Sequence, residues 1–180
     1  MLTVFLLLTL GCTSAPEPES DGGTAKALAE TVEPIPESSD PNGIEPMDVA
    51  ALKALIESPH PRHRVVNFWA TWCGPCIEEL PRFRDWARGQ DRADLVLVNV
   101  DLAQVRERLV LPFLAKQDLQ TFHNVHFEDR DPASGLQKAL PEFSGILPFT
   151  LVVEPEGGQN RTVLLGSVHT DQLDEVLDRD

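Results

Sequence analysis

Cysteine is scarce in this chain. Of 180 residues only Cys12, Cys73 and Cys76 are cysteine. So few exclude the multi-disulfide framework by which small exported domains hold themselves together. Positive charge is scarce too, with 15 Lys and Arg against 29 Asp and Glu and a formal net charge of -14. A nucleic-acid partner needs lysine and arginine for its phosphates, and an anionic membrane surface would repel the chain for the same reason. The apolar stretch Leu2 to Leu10 is about half the length a membrane-crossing helix requires. What is present is 42% hydrophobic residues and three Trp, enough for one soluble domain with a real core.

The negative charge is unevenly spread. Between Thr13 and Asp48 nine acidic residues face a single base, Lys26, while from Val49 onward 20 acidic residues face 14 basic ones. The acidic segment also carries Pro16, Pro18, Pro34, Pro36, Pro41 and Pro46. Such a composition cannot assemble a core, so residues 13–47 are expected to form a disordered tether. Ahead of it, residues 1–12 read as an export signal, with Gly11 placed before Cys12. This resembles a bacterial lipoprotein signal, although no Lys or Arg precedes the apolar run and Thr9 stands where such signals carry leucine. The resemblance implies a lipidated Cys12, a membrane anchor, and a domain held in the periplasm or cell envelope on a leash reaching on the order of 30 Å.

Regular patterning begins at Asp48, giving an expected domain over 48–180. Asp48 is placed to cap a helix carrying Val49, Leu52, Leu55 and Ile56, which Pro59 and Pro61 stop. "RVVNFWA" reads as a buried strand, followed by a helix from about Cys73 to Gly89 with Ile77, Leu80, Phe83 and Trp86 turned inward. "DLVLVNVD", Asp94 to Asp101, has the unbroken apolar run of a central strand covered on both faces. Val105, Leu109 and Phe113 line a helix that Pro112 should kink or split. "TFHNVHFE" fits a short strand or an irregular connection, "GLQKALPEF" a short helix, and "PFTLVVEPEGGQNRTVLLGSV" a hairpin. Thr170 or Asp171 is placed to cap a last helix. The sum is an α/β fold, a mixed central sheet with helices on both faces. The glycosylation triplet Asn160-Arg161-Thr162 is too common to carry weight.

With Cys12 given to the lipid, Cys73 and Cys76 remain as a pair where a buried strand gives way to a helix. Unpaired N–H groups and the helix dipole favour negative charge there, which lowers a thiol's pKa, and the thiolate is the reactive form. Pro75 is tolerated in a first helical turn because its missing N–H had no partner. Gly74 leaves room for another chain to approach Cys73. The spacing suits a disulfide that opens and closes.

"NFWATWCGPC", followed by "EELP", resembles the thioredoxin superfamily and, within it, the membrane-tethered thiol:disulfide reductases of the TlpA type. The resemblance covers roughly Val49 to Leu177. It implies a thioredoxin-like fold with a redox-active Cys73–Cys76 disulfide and no other cofactor. "FSGILPFTLVV" matches the family's active-site proline, so Pro148 is expected in cis, with the backbone of Leu147 free to pair with a substrate strand. Trp72, Gly74 and Pro75 complete the expected contact surface, while Trp69 is expected in the core. Asn67 occupies the position of thioredoxin's buried aspartate and cannot act as a base. The tethered reductases carry instead a glutamate three residues after the second cysteine, here Glu79, on the same side of the helix as Cys76 and expected to take its proton. Pro81 matches the family's helix kink. Residues 119–145 are expected to differ most from simple thioredoxins. The resemblance further implies protein disulfides as substrates, cytochrome c maturation as one setting, a membrane thiol-transporting electron donor, and a monomer.

Three other readings stand beside this reductase. One is a zinc site joining the cysteines to His123 and His126, or to His60 and His63, although histidine pairs in loops are ordinarily polar surface. Another is a redox-inactive binding module on the same fold. The third is a disulfide-forming oxidase or isomerase.

Overall fold

The computed structural model describes residues 43–158 and 160–179. The signal with Cys12, and residues 13–42 of the expected tether, lie outside the described residues. Six strands form one sheet: β1 (Glu45–Met47), β2 (His63–Trp69), β3 (Ala93–Asn99), β4 (His123–Phe127), β5 (Phe149–Val153) and β6 (Arg161–Leu165). Their spatial order is β1-β4-β3-β2-β5-β6. The first four strands in that order run parallel, β5 runs against β2, and β6 against β5. The helices are α1 (Val49–Glu57), α2 (Gly74–Arg88), α3 (Leu111–Lys116), α4 (Pro132–Ala139) and α5 (Thr170–Leu177).

The domain starts earlier than the boundary at residue 48. Ile44 is fully buried and Glu45–Met47 pair with β4, so Ile44 just before the strand and Met47 at its end both join the core. The sequence reading gave these residues to the tether on the strength of Pro46 and Glu45. An edge strand tolerates both.

Both faces of the sheet are covered. Nearly every residue of β2, β3 and β5 is buried, which a strand achieves only between two layers. Asp48 caps α1 by accepting the N–H of Ala51 at 2.8 Å, as expected. Trp86 of α2 donates to Asp174 of α5 at 3.0 Å, fastening those two helices together.

Three elements differ from the sequence reading. The segment between β3 and α3 is not one kinked α-helix. A 3-10 turn over Ala103–Val105 leads into a π-helical turn over Arg106–Val110, whose end is marked by the Leu111 N–H reaching back to the Arg106 carbonyl. Pro112 sits in the first turn of α3, where its missing N–H is harmless. Helix α4 starts at Pro132, three residues before "GLQKALPEF", because Asp131 accepts the Ser134 N–H at 3.3 Å and caps it there. The cap of α5 is His169, whose N–H is taken by Gln172 Oε1 at 2.9 Å, so neither Thr170 nor Asp171 fills that role.

Between β5 and β6 the chain turns under the end of α1. His60 N–H donates to the Pro155 carbonyl at 2.8 Å. Gly157 has φ of 102°, and a Cβ there would lie 2.5 Å from the Glu57 carbonyl oxygen. Gly157→Ala therefore combines a disfavoured backbone with a backbone collision and should destabilise the fold by about 1–3 kcal/mol. Thermal unfolding measures it, and an unchanged midpoint would mean that this turn is not pinned beneath α1.

Candidate active site

The site grows from the end of β2. After Trp69 the chain turns through Ala70, Thr71 and Trp72, and Cys73 N–H closes the turn on the Ala70 carbonyl at 3.1 Å. Cys73 is the N-cap of α2 in extended backbone, and its Sγ accepts the N–H of Cys76 at 3.3 Å. Cys73 and Cys76 are joined in a disulfide, Cα to Cα 5.3 Å. Cys73 keeps 5% of its surface exposed and Cys76 none, so only the first is open to attack from outside. Gly74 and Pro75 are exposed, with nothing within 4 Å of a Cβ built on Gly74. Pro81 lies inside α2 and has no N–H for the carbonyl of Ile77.

The peptide bond from Leu147 to Pro148 is cis, as expected. Because β5 begins with Phe149 opposite Phe68, the register brings Pro148 to the end of β2 that leads into Cys73. Leu147 and Trp72 line one apolar groove of about 220 Å³ with Leu102, Pro132, Leu136 and Phe143. Two-thirds of Trp72 (68%) is exposed, whereas Trp69 is entirely buried and lies against Phe113 with ring centres 5.1 Å apart. The 119–145 segment thus supplies β4 to the sheet and α4 to one wall of the groove.

Glu79 is fully buried on α2. Its Oε1 accepts from Asn67 Nδ2 at 2.9 Å and its Oε2 from the Val168 N–H at 3.0 Å. Asn67 Nδ2 also donates to Thr150 Oγ1 at 3.0 Å, across the β2–β5 pairing that sets these residues opposite one another. Burial pushes the Glu79 carboxyl above the usual carboxylate range, against the pull of the Val168 N–H, the Asn67 amide and Arg82. Thr150 and Val168 were not anticipated. Nothing in the sequence marks the second, since its contribution is a backbone N–H.

A second buried network was also missed. Asp101, 2% exposed, accepts the Thr71 N–H at 2.7 Å, the Thr71 hydroxyl at 2.8 Å and Asn99 Nδ2 at 2.8 Å. The signal was present as Asn99 and Asp101, two polar residues closing an otherwise apolar strand.

The histidine pairs are not plain loop surface. His123 and His126 lie on β4, where His126 is fully buried and His123 Nε2 pairs with Glu45 at 3.3 Å. His60 is buried with its Nε2 3.5 Å from Asp94. Among the described residues no group of three or more His, Cys, Asp or Glu is placed to hold a metal ion.

Comparison with known proteins now decides the family. Residues 45–110 match the thioredoxin family model. The chain carries a thioredoxin-family domain. It is 30% identical over 115 residues to the thiol-disulfide oxidoreductase ResA of Oceanobacillus iheyensis, an alignment covering 63% of this chain and 54% of that protein. Over 113 residues it is 30% identical to the sporulation thiol-disulfide oxidoreductase A of Bacillus subtilis, covering 62% of this chain and 64% of that one. The chain thus spans about half to two-thirds of the length of these relatives. Among solved structures, the thioredoxin-related protein from Neisseria meningitidis serogroup B superposes with a TM-score of 0.54 at 27% identity, covering 67% of this chain and 86% of that one. The thioredoxin-like α/β fold, with its mixed sheet and flanking helices, is therefore established. No helix among the described residues is long and apolar enough to cross a membrane.

The raised carboxyl of Glu79 sets a pH trend. The folded domain holds a proton that the unfolded chain has released above about pH 4.5, so this group's stabilising contribution is complete below that value and is lost as pH rises through its folded pKa. The stability difference between wild type and the non-titrating Glu79→Gln variant should accordingly fall as pH is raised from about 4 to neutrality. Denaturant titrations across that range measure it, and a difference that stays flat or grows would show that the carboxyl is not held up by burial.

Proposed function

We propose that the protein is an extracytoplasmic thiol:disulfide oxidoreductase that reduces protein disulfides through Cys73 and Cys76. The observation that carries this reading is the Cys73–Cys76 bond at the start of α2, with the sulfur of Cys73 capping the helix and cis-Pro148 at the same end of the sheet. Two relatives bearing the name thiol-disulfide oxidoreductase support it.

In the reduced enzyme the Cys73 thiolate attacks one sulfur of a substrate disulfide, forming a mixed disulfide and releasing the other substrate sulfur as thiolate. The extended substrate lies against Trp72, Gly74 and Pro75 and pairs with the backbone of Leu147 beside Pro148. Cys76 then loses its proton and attacks the sulfur of Cys73. The Cys73–Cys76 bond forms, the substrate leaves reduced by two electrons, and Glu79 takes the proton. A carboxyl whose pKa burial has raised is a better match to a thiol than an exposed one, which favours Glu79 as that acceptor. A membrane thiol-transporting protein returns the electrons. Cys12 carries the lipid that keeps the domain at the bacterial envelope, and apocytochrome c is one substrate class this placement suits.

The reducing direction rests on Gly74-Pro75 between the cysteines, the dipeptide of thioredoxin. Thioredoxin stands at about -270 mV, against about -120 mV for the strong periplasmic oxidant. The equilibrium potential of Cys73–Cys76 against dithiothreitol or glutathione should fall near the first value, and one above about -150 mV would make the protein an oxidase. Cys76→Ser should accumulate the mixed disulfide and Cys73→Ser should be inert toward insulin. Glu79→Gln should slow release from the mixed disulfide while leaving its formation alone; unchanged turnover would remove Glu79 from the mechanism.

A further inference from the structure

We propose that His126 is a positioning residue, which acts through Asn99 and Asp101 to hold the turn before Cys73 and so keep that sulfur on the end of α2. This deepens the oxidoreductase reading and rests on it for its role in turnover.

The hydrogens of this network assign themselves. Asn99 gives Nδ2 to Asp101 Oδ2 at 2.8 Å and takes the Asp101 N–H on Oδ1 at 3.1 Å. The flipped amide would set oxygen against carboxylate and N–H against N–H, so Oδ1 faces the remaining neighbour, His126 Nδ1, at 3.0 Å. An amide oxygen only accepts, and His126 Nδ1 must therefore carry a hydrogen. Among the described residues the other nitrogen, Nε2, is buried with no hydrogen-bond partner. Burial first, and then Arg106, hold the imidazole below its ordinary pKa, with Glu128 and Asp101 pulling the other way, so the neutral Nδ1–H tautomer is the working form.

The relay runs from β4 through β3 into the active-site turn. His126 sits opposite Asn99 in the β3–β4 register, and Asn99 opposite Trp69 in the β2–β3 register. The Val100 N–H continues that pairing to the Trp69 carbonyl at 2.9 Å. At the far end Asp101 grips Thr71 twice, by N–H and hydroxyl, two residues before Cys73. Plain packing would be served as well by apolar residues at 99 and 126, without the cost of an unpartnered buried nitrogen. What polar residues add here is direction. They fix one turn geometry, and that geometry sets whether Cys73 Sγ reaches the Cys76 N–H. Should the turn relax, the sulfur loses that donor and its thiolate is less favoured.

The test is the pH profile of Cys73 alkylation by iodoacetamide in the reduced full chain, with the modified cysteine identified by peptide mass. His126→Leu removes the donor, and His126→Asn presents an amide N–H where Nδ1 stood. Thr71→Val cuts the network at its partly exposed end. His126→Leu and Thr71→Val should raise the Cys73 ionisation midpoint and slow alkylation at neutral pH roughly three- to tenfold, the range one hydrogen bond commands. His126→Asn should return to within about twofold of wild type. Should His126→Leu not fold, Thr71→Val alone decides. Wild-type profiles in the donor-less variants, whatever their melting temperatures, overturn the proposal, as does an Asn variant no better than Leu. Alkylation does not depend on substrate reduction. A wild type inert toward disulfide substrates, together with a shifted His126→Leu profile, would end the oxidoreductase reading and leave this one standing.

Discussion

Everything about this domain converges on one hydrogen bond, from the N–H of Cys76 to the sulfur of Cys73. A helix leaves its first N–H groups without partners, and here a sulfur takes one of them. The same donor that meets a disulfide sulfur would meet a thiolate more strongly, since hydrogen bonds to ions are the stronger kind. The rest of the fold fixes where that donor points. Strand β2 is buried on both faces and cannot shift, α2 is fastened to α5 through Trp86 and Asp174, and antiparallel β5 delivers Pro148 to the same end of the sheet.

The interior bears the mark of this arrangement. A core built for stability alone would be apolar, yet Asn67, Glu79, Asn99, Asp101, Asn124, His126 and Thr150 are all buried here. Six of them fall into two small networks that end near the cysteines. Asn67 and Thr150 hold Glu79 beneath α2, and His126 and Asn99 hold Asp101 beneath the Thr71 turn. Asn124 is different. It donates to the carbonyls of Leu119 and Phe122, a local tie that starts β4 and has no link to the site. Local rules that break near a site and hold elsewhere are what a fold bent to a chemical task should display.

What could be read from the sequence follows the range of the interactions involved. The start of α1, the strand before the cysteines, the extent of α2 and the hairpin rest on short-range periodicity and caps, and they stand close to where the residues pointed. The cysteine pair and Pro148 were legible because each carries its chemistry in its own side chain or its neighbours. Glu79 was visible only as a position. Its burial, the Val168 N–H and the Thr150 partnership of Asn67 arise from chain segments about 70 to 90 residues away. His126 was misjudged as part of a surface pair because a histidine flanked by Asn124 and Glu128 reads as polar, while its neighbours across the sheet are buried. The edge strand β1 was lost to its own composition, two residues that favour a tether in isolation and a sheet edge in place.

The buried carboxylates also bear on direction. In the proposed cycle the oxidised form of the pair carries no charge, whereas the reduced form acquires a thiolate on Cys73 and must pass on a proton from Cys76. Glu79 lies three residues beyond Cys76 on the same helix, hence on the same side. With the carboxyl ionised in a low-dielectric interior, a second negative charge nearby is disfavoured, and that penalty falls on the reduced form alone. The helix terminus works the other way and stabilises the thiolate. A strong oxidant needs the helix term to dominate, because its reduced form must be the favoured one. A domain that buries carboxylates under both sides of its cysteine turn, Glu79 on α2 and Asp101 just after β3, opposes its own helix. In the reductase proposed above, that opposition would tilt the balance toward the disulfide.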